Sequence, residues 1–194
     1  MNYLKFWLVV LKEDIKVFRL VFDSGIGKYF YFPAFRAVLF FRLSQLMYRY
    51  KLTRPLAYAF TNLNDFMHGI WIGPAVKTGK GLSIPHPRGI IVNPDTVIGN
   101  YCSILHQVTF GGDKIVIGDC VEIMADVKII NDKLKNKFLY IGNEAVLGAG
   151  AVVLNDVPDN AVMVGIPAKV VKYRQTGDTW LNYRIQENKM SKSE

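Results

Sequence analysis

A six-residue repeat runs from residue 72 to residue 158 and constrains the fold more than any other feature of the chain. Of fourteen positions spaced mostly six apart, twelve carry a large apolar residue. The fourteen residues, of which only Thr78 and Lys135 are not large and apolar, are Ile72, Thr78, Ile84, Val92, Ile98, Ile104, Phe110, Ile117, Ile123, Ile129, Lys135, Ile141, Leu147 and Val153. A helix or an alternating strand would not sustain this period. Three such units would instead close a triangular coil of about eighteen residues, so the pattern predicts a parallel β-helix with stacked apolar residues inside.

Two steps of the repeat are longer than six residues, and one interior position carries a charge. The step from 84 to 92 spans eight residues and predicts an outward bulge at 86–89. The step from 110 to 117 spans seven and predicts a slighter bulge at 111–113. At Lys135 we expect either a distorted corner or a side chain that turns outward, because a lone charge is costly to bury.

Residues 1–68 follow a helical pattern instead. Apolar residues recur at helical spacing before residue 22, and proline stands near the start of two further predicted helices, 34–50 and 55–67. Positions 12–54 hold nine Lys or Arg against three acidic residues. We expect this subdomain to cap the first coil and contact neighbouring subunits; the alternative is a basic, aromatic surface resting on an anionic membrane. No apolar run reaches the ~18–20 residues of a spanning helix.

The chain is thus predicted to comprise a helical subdomain (1–68), a β-helix domain (69–172) and a C-terminal tail or short helix (173–194). Its 51% hydrophobic and 21% charged residues exclude a disordered protein. Cys102 and Cys120 form neither a disulfide framework nor a metal-ligand spacing, and no secretory signal is evident, so we expect the cytoplasm and no metal. The formal charge of +8 permits nucleic-acid binding. Because no recognition module accompanies it, no nucleic-acid partner is expected.

Three stretches resemble the serine acetyltransferases and their relatives among the hexapeptide-repeat acyltransferases. They are IWIGPAVKTGKGLSIPH at 70–86, ILHQVTFGG at 104–112 and VGIPAK at 164–169. The resemblance extends over roughly residues 10–172. It implies a left-handed parallel β-helix, a homotrimer with a dimer of trimers left open, and acetyl-CoA as co-substrate in clefts between adjacent subunits.

Acetyl transfer from a thioester to a hydroxyl requires a base that takes the hydroxyl proton. An imidazole suits this role because its ordinary pKa of ~6.5 leaves it neutral at pH 7. His86 lies between Pro85 and Pro87 in the predicted bulge, at the position of the family's catalytic histidine, so we predict it as general base. His106 on a neighbouring coil is a second catalytic candidate that would bind the acceptor or steer the thioester. His68 is expected to be a hydrogen-bonding residue at the junction of helices and coils.

The resemblance also implies contacts with acetyl-CoA. Small residues let a backbone approach the pantetheine arm, although an ordinary corner requires them equally. A lysine can meet a cofactor phosphate as a point charge. The predicted cofactor-binding residues are Gly111, Gly112, Ala125, Gly148, Ala149 and Lys169.

Departures from the family pattern guide the prediction of the acceptor. Pro85 and Trp71 stand where the family has aspartates beside the catalytic histidine, and no Arg-His pair follows the Gly-Gly sequence at 111–112. Losing a charged partner typically costs ~1.5–3 kcal/mol, so we expect serine to bind poorly. Trp71 would instead offer a platform for a sugar ring, and Trp71 and Arg88 are predicted to bind substrate.

We therefore predict an acetyl-CoA-dependent O-acetyltransferase that modifies a sugar hydroxyl in capsular, exo- or lipopolysaccharide synthesis. Its acceptor would be a saccharide, free or lipid-linked, and the enzyme would work in the cytoplasm or at the inner face of the cell membrane. Two alternatives stay open. One is a divergent serine O-acetyltransferase of cysteine biosynthesis, and the other is a non-catalytic membrane-surface or assembly scaffold.

Overall fold

The computed structural model of the protein describes residues 3–22, 31–132, 134 and 136–190. Its helices are α1 (Tyr3–Phe22), α2 (Pro33–Tyr48), a short 3-10 helix (Lys51–Thr53), α3 (Arg54–His68) and α4 (Trp180–Met190). Its strands are β1 (Ile70–Ile72), β2 (Lys77–Thr78), β3 (Ile90–Val92), β4 (Val97–Ile98), β5 (Ser103–Ile104), β6 (Thr109–Gly111), β7 (Ile115–Ile117), β8 (Glu122–Ile123), β9 (Lys128–Ile130), β10 (Leu139–Ile141), β11 (Val146–Leu147), β12 (Val152–Val153), β13 (Ala161–Val164) and β14 (Lys169–Tyr173). The division of the chain at 68/69 and 172/173 stays a prediction.

The short strands form three flat faces. Face A has the order β1-β3-β6-β9-β12, face B has β10-β7-β4-β2, and face C has β14-β13-β11-β8-β5. All pairs are parallel except β13 with β14, which closes the last coil as an antiparallel hairpin. On face A the register stacks Val92 on Phe110 and Phe110 on Ile129, and all three are fully buried. The predicted fold class, a parallel β-helix with an N-terminal helical region, is confirmed.

The fourth coil is longer than the others. Val92 pairs with Phe110, 18 residues later, whereas Ile129 pairs with Val153, 24 residues later. The six additional residues fall between β9 and β10. Asn131 anchors this segment, because its buried side-chain amide donates to the carbonyls of Asp113 and Lys137 at 2.8 and 2.9 Å. Lys135, for which either a distorted corner or an outward-turned side chain is predicted, lies outside the described residues.

A ladder of side chains satisfies the backbone at the edge where face B ends. The side-chain oxygens of Asp119, Asn143 and Asp159 accept hydrogen bonds from the backbone amides of Asn100, Asp119 and Asn143 at 2.7, 2.8 and 2.6 Å. Each coil is thereby tied to the next by a polar bond outside the apolar interior. Amide groups that would otherwise lack a partner at a corner are paired in this way.

The helices dock on the first coil through a buried ion pair. Arg42 of α2 lies 2.7 Å from Asp14 of α1, and both side chains are almost fully buried. Arg42 also donates to the Thr78 hydroxyl and to the Gly79 carbonyl, while Asp14 accepts from the Leu82 amide at 3.0 Å. Burial raises the pKa of Asp14, and the Arg42 guanidinium opposes that effect. These bonds join two helices and the first coil at one point.

The basic surface hypothesised for 12–54 is smaller than its composition suggests. Arg42 is 1% exposed, so its charge serves the ion pair rather than any partner. Lys28 lies outside the described residues. The second and third helices begin and end within two residues of their predicted bounds. Among the described helices, none is long and apolar enough to cross a membrane.

Replacing Arg42 with alanine should destabilise the fold, because the Asp14 carboxylate would stay buried without its counter-charge. Removing one partner of a buried ion pair costs about 3–5 kcal/mol. We expect the free energy of unfolding, measured by urea denaturation, to fall by this amount. Glu13→Gln is the matched control, since it removes a carboxylate whose partner Lys16 is largely exposed. Its urea midpoint should stay near that of the wild type, and an Arg42→Ala midpoint equal to it would contradict the prediction.

A second prediction concerns His68, which is buried at the end of α3. Its Nδ1 lies 2.8 Å from the Asn64 side-chain oxygen, and Arg36 donates to its Nε2 at 3.4 Å. Burial lowers the pKa of His68, and the charges of Arg36 and Arg88 lower it further. When folding lowers the pKa of a base, protonation of that base favours the unfolded state. The stability that the neutral base contributes is therefore complete above its unfolded-state pKa of ~6.5 and is lost as the pH falls through its folded-state pKa.

We therefore expect the wild type to lose more unfolding free energy than His68→Gln when the pH is lowered from 7.5 to 5. Urea denaturation at both pH values measures the difference. Equal losses in the two proteins would show that His68 does not contribute to the acid sensitivity.

Candidate active site

One edge of the β-helix, where face C passes into face A, gathers several of the predicted site residues. Successive coils are joined there by backbone bonds from Gln107 to Arg88, from Asp126 to His106 and from Gly150 to Ala125, at 2.7, 3.0 and 2.9 Å. We call this the C–A edge. The predicted residues stacked along it are His86, Arg88, His106, Ala125, Gly148 and Ala149.

The two histidines lie together at the start of this edge. The predicted bulge is present, and it is closed by the Gly89 amide, which donates to the Gly69 carbonyl at 2.7 Å. His86 is exposed at its tip. Its ring centroid lies 6.2 Å from that of His106, and the ring planes are nearly perpendicular. The Nδ1 atom of His106 is buried and has no hydrogen-bond partner among the described residues.

A cleft of about 580 Å³ opens beside His86. Its floor is the outward side of face C, where Ser83, Ser103 and Glu122 occupy equivalent positions in three successive coils. Its roof is α4. The remaining lining residues are Val21, Phe22, Pro85, Leu105, Ile123, Met124, Arg174, Asp178, Thr179, Trp180, Tyr183 and Arg184. Hydroxyl groups, aromatic rings and charges of both signs therefore meet next to the imidazole.

The roof is attached by polar bonds rather than by a buried apolar face. The indole of Trp180 donates to the Tyr101 carbonyl at 2.9 Å, and the Gly177 amide donates to the Glu144 carboxylate at 2.6 Å. At the far end of α4, Asn188 donates to the Leu20 carbonyl of α1 at 2.9 Å. No residue of α4 is buried. This segment therefore encloses the cleft without adding to the core.

This half of the site is not predicted from the sequence. Residues 173–194 are expected only as a tail or short helix, and neither Glu122 nor Arg174 is a predicted site residue. The outward positions of the six-residue repeat were the available signal, since Ser83, Ser103 and Glu122 all directly precede an interior residue of face C. The roof had no such signal, because its residues lie outside the repeat.

Other predicted residues lie away from the cleft. Trp71 is half-buried on face A beside Ile91, and Arg88 is exposed; neither is among the described residues that line the cleft. Gly111 and Gly112 lie where face A passes into face B, on a different edge from His86. Lys169 is exposed at the start of β14.

Packing alone explains two of the predicted glycines. Gly112 has a φ of +90°, and a Cβ there would collide with the Asn131 carbonyl. At Gly148 a Cβ would lie 2.8 Å from the Val164 side chain. Gly150 differs from both, since a Cβ would meet nothing within 4 Å. The C–A edge is therefore open at this coil.

The surroundings of both cysteines disfavour the reactive thiolate. Cys102 is fully buried in the interior, and burial raises the pKa of its thiol to about 12. Burial also raises the pKa of Cys120. A thiol reacts as its thiolate, which these environments disfavour. Over the described ranges, with residues 133 and 135 left aside, no group of three or more His, Cys, Asp or Glu is placed to hold a metal ion.

The chain is similar to known serine acetyltransferases in sequence and in structure. It is 31% identical over 147 residues to the serine acetyltransferase of Helicobacter pylori, a match that covers 72% of this chain and 82% of that protein. No protein-family model matches it. The chain belongs to the serine acetyltransferase family. This membership supports the predicted enzyme class, an acyltransferase, over the scaffold alternative.

Two solved structures of the family share the fold. The Neisseria gonorrhoeae serine acetyltransferase in complex with serine has a TM-score of 0.74 at 31% identity, and the match covers 86% of this chain and 69% of that one. A serine acetyltransferase in complex with CoA has a TM-score of 0.75 at 29% identity, with 85% and 69% covered. The chain spans only 34% to 66% of several other curated serine acetyltransferases that it matches.

The predicted sugar O-acetyltransferase function is wrong. Relatives at 28% to 34% identity are named serine acetyltransferases, which favours the alternative function. The prediction failed because it treated the departures at Trp71, Pro85 and the loop after Gly112 as a loss of all charged partners. The structure places Glu122 and Arg174 in the same cleft from other elements. A saccharide acceptor and membrane contact have no support from these relatives.

Proposed function

We propose that the protein is an acetyl-CoA-dependent serine O-acetyltransferase. The observation that carries the proposal is the family match over most of the chain, together with an exposed histidine at the mouth of a polar cleft. Relatives solved with serine and with CoA support the two substrates. The products would be O-acetyl-L-serine and free CoA, and the reaction would take place in the cytoplasm.

His86 acts as the general base in this proposal. As the serine hydroxyl oxygen attacks the thioester carbonyl carbon, the imidazole takes the hydroxyl proton. The resulting oxyanion intermediate collapses, the carbon–sulfur bond breaks, and the CoA thiolate leaves and takes the proton from His86. The bulge favours this role because it holds the ring outside the coils between two prolines, whose fixed φ angles limit its backbone.

His106 supports His86 from the adjacent coil. Its half-buried ring lies edge-on to that of His86, and its buried Nδ1 has no partner in the described part of the chain. We assign it to contact the acetyl group or the acceptor hydroxyl. The sugar-stacking role of Trp71 falls with the sugar acceptor, while Arg88 remains a proposed substrate contact because it shares the bulge.

The C–A edge suits the pantetheine arm of acetyl-CoA. It runs from His86 through Ala125 to Ala149, with coils spaced about 4.8 Å apart. Small residues and the open space at Gly150 let an extended chain approach this backbone. Lys169 lies one coil beyond and could meet a phosphate of the cofactor. Gly111 and Gly112 lie on a different edge, so they could contact a cofactor on the C–A edge only from a neighbouring subunit, which is consistent with the proposed homotrimer.

Replacing His86 with alanine should abolish most activity without unfolding the protein. General-base catalysis is typically worth about 10²–10⁴-fold, so kcat should fall by at least two orders of magnitude. The exposed ring makes few packing contacts, so the thermal midpoint should not change. Release of the CoA thiol with acetyl-CoA and L-serine measures kcat. Retained turnover in a folded His86→Ala enzyme would remove His86 from the mechanism.

Ala149→Leu tests the path of the cofactor. Ala149 is exposed on the C–A edge, so a larger side chain would not disturb the interior but would obstruct a chain lying on the edge. We expect the KM for acetyl-CoA to rise about tenfold or more, with an unchanged thermal midpoint and little change in the KM for serine. An unchanged KM for acetyl-CoA would place the pantetheine arm elsewhere.

A further inference from the structure

The outward side of face C forms a polar row that leads away from His86. Ser83 bridges to Ser103, and Ser103 pairs with Glu122, so the three side chains occupy the same place in consecutive coils. Coils are spaced about 4.8 Å apart, which puts the backbone of Glu122 about 10 Å from that of Ser83. Ser83 is three residues from His86. The row therefore joins the general base to a carboxylate along one wall.

That carboxylate is paired with an arginine from outside the coils. Arg174 follows β14 and lies 2.9 Å from Glu122 through Nη1, with side-chain exposures of 13% and 22%. Its Nη2 donates to the Glu144 carbonyl at 2.7 Å, and its Nε is buried with no partner among the described residues. The pair is thus held in place at the cleft wall by the two terminal nitrogens of the guanidinium, whose side chain is still 13% exposed. Partial burial limits the screening of both charges by salt.

An amino acid presents opposite charges that match this pair. A guanidinium binds a carboxylate with directed, charge-assisted hydrogen bonds, and a carboxylate accepts such bonds from an ammonium group. In serine, the hydroxyl oxygen and the amino nitrogen are about 3 Å apart, as bond lengths dictate. With a hydrogen bond of about 2.8 Å at each end, one serine molecule spans about 8.5 Å. The backbones at the two ends of the row are about 10 Å apart, which is of the same order.

We propose that Glu122 and Arg174 form the subsite that recognises the amino-acid group of the acceptor. Glu122 accepts hydrogen bonds from the ammonium, Arg174 binds the carboxylate, and Ser103 lies between them and the hydroxyl at His86. Asp178 and Arg184 line the same cleft and add charge of both signs. This inference rests on the proposed serine O-acetyltransferase function and names the residues that select serine.

Glu122→Gln is the first test, because it keeps the shape of the side chain and removes its charge. We expect the KM for L-serine to rise about tenfold or more, the scale of a lost charge-assisted hydrogen bond. The KM for acetyl-CoA should not change, and the thermal midpoint should fall only slightly, because the glutamine oxygen can still accept a hydrogen bond from Arg174. Glu13→Gln is the matched control, since it neutralises an ion-paired carboxylate that does not line the cleft. Its KM for serine should equal that of the wild type.

Acceptor analogues separate recognition from a general structural effect. 3-Hydroxypropionate lacks the ammonium and serinamide lacks the carboxylate, yet both keep the hydroxyl. Glu122→Gln should lose about tenfold of the wild-type preference for serine over 3-hydroxypropionate, measured as a ratio of kcat/KM. Arg174→Lys keeps the positive charge but loses the planar, two-pronged guanidinium. It should therefore lose part of the wild-type preference for serine over serinamide. If the two residues have only a structural role, kcat/KM should fall by the same factor for serine, 3-hydroxypropionate and serinamide. That result would overturn the inference.

The possible outcomes test the subsite separately from the proposed serine O-acetyltransferase function. If the wild type acetylates serine and Glu122→Gln has an unchanged KM for serine, the subsite is wrong and the function stands. If the wild type does not acetylate serine under saturating acetyl-CoA, both are overturned. If the thermal midpoint of Glu122→Gln is clearly lowered, the test passes to Arg174→Lys. The kcat/KM ratio of serine to serinamide is then compared with that of the wild type, and an equal ratio refutes the subsite.

Discussion

Each six-residue unit turns only two side chains inward, a large apolar one and a second, often smaller, one two residues before it. A single unit cannot bury these residues alone, so coils must stack, and stacking places equivalent residues directly above one another. The same register that aligns Val92, Phe110 and Ile129 inside also aligns every outward position into rows. The C–A edge and the polar row from Ser83 to Glu122 are both products of this register. The fold thus repeats whatever chemistry its outward residues carry, at intervals of one strand spacing.

The dependence of the fold on stacked interior residues explains why most coils could be predicted from the sequence. It also explains why the length of the fourth coil could not. An interior residue every six positions is a direct demand of packing, and the bulge at His86 was visible because eight residues break that rhythm. The lengthened fourth coil adds six residues, from a pairing separation of 18 to one of 24. An insertion of six keeps the phase of a six-residue repeat, so Ile129 and Ile141 still matched the pattern. Lys135 was the one charged residue at a predicted interior position, and it lies in the segment between β9 and β10 where the additional residues fall.

The appended segments obey no such period, and their contacts were out of reach. Arg42 read as part of a basic surface because composition cannot tell an exposed charge from one buried against Asp14. The docking of α4 depends on backbone acceptors such as the Tyr101 carbonyl, which no side-chain pattern encodes. The appended helices are thus held by specific polar bonds in addition to apolar packing such as that of Phe41 on the coils. Such bonds depend on geometry that exists only after the coils have formed.

The acceptor was mispredicted for the same reason. Trp71 and Pro85 show only that two positions of the coils carry no charge. Binding depends instead on whether any element of the chain brings a charge into the cleft. Arg174 arrives from the closing hairpin and Glu122 from two coils away, so neither would be found by comparing residues next to His86. Because the coils fix only the base and the edge beside it, the segments that fold back on them are free to vary the acceptor. In the proposed subsite, selectivity thus depends on an outward residue of the coils, Glu122, together with Arg174 from the segment that folds back on them.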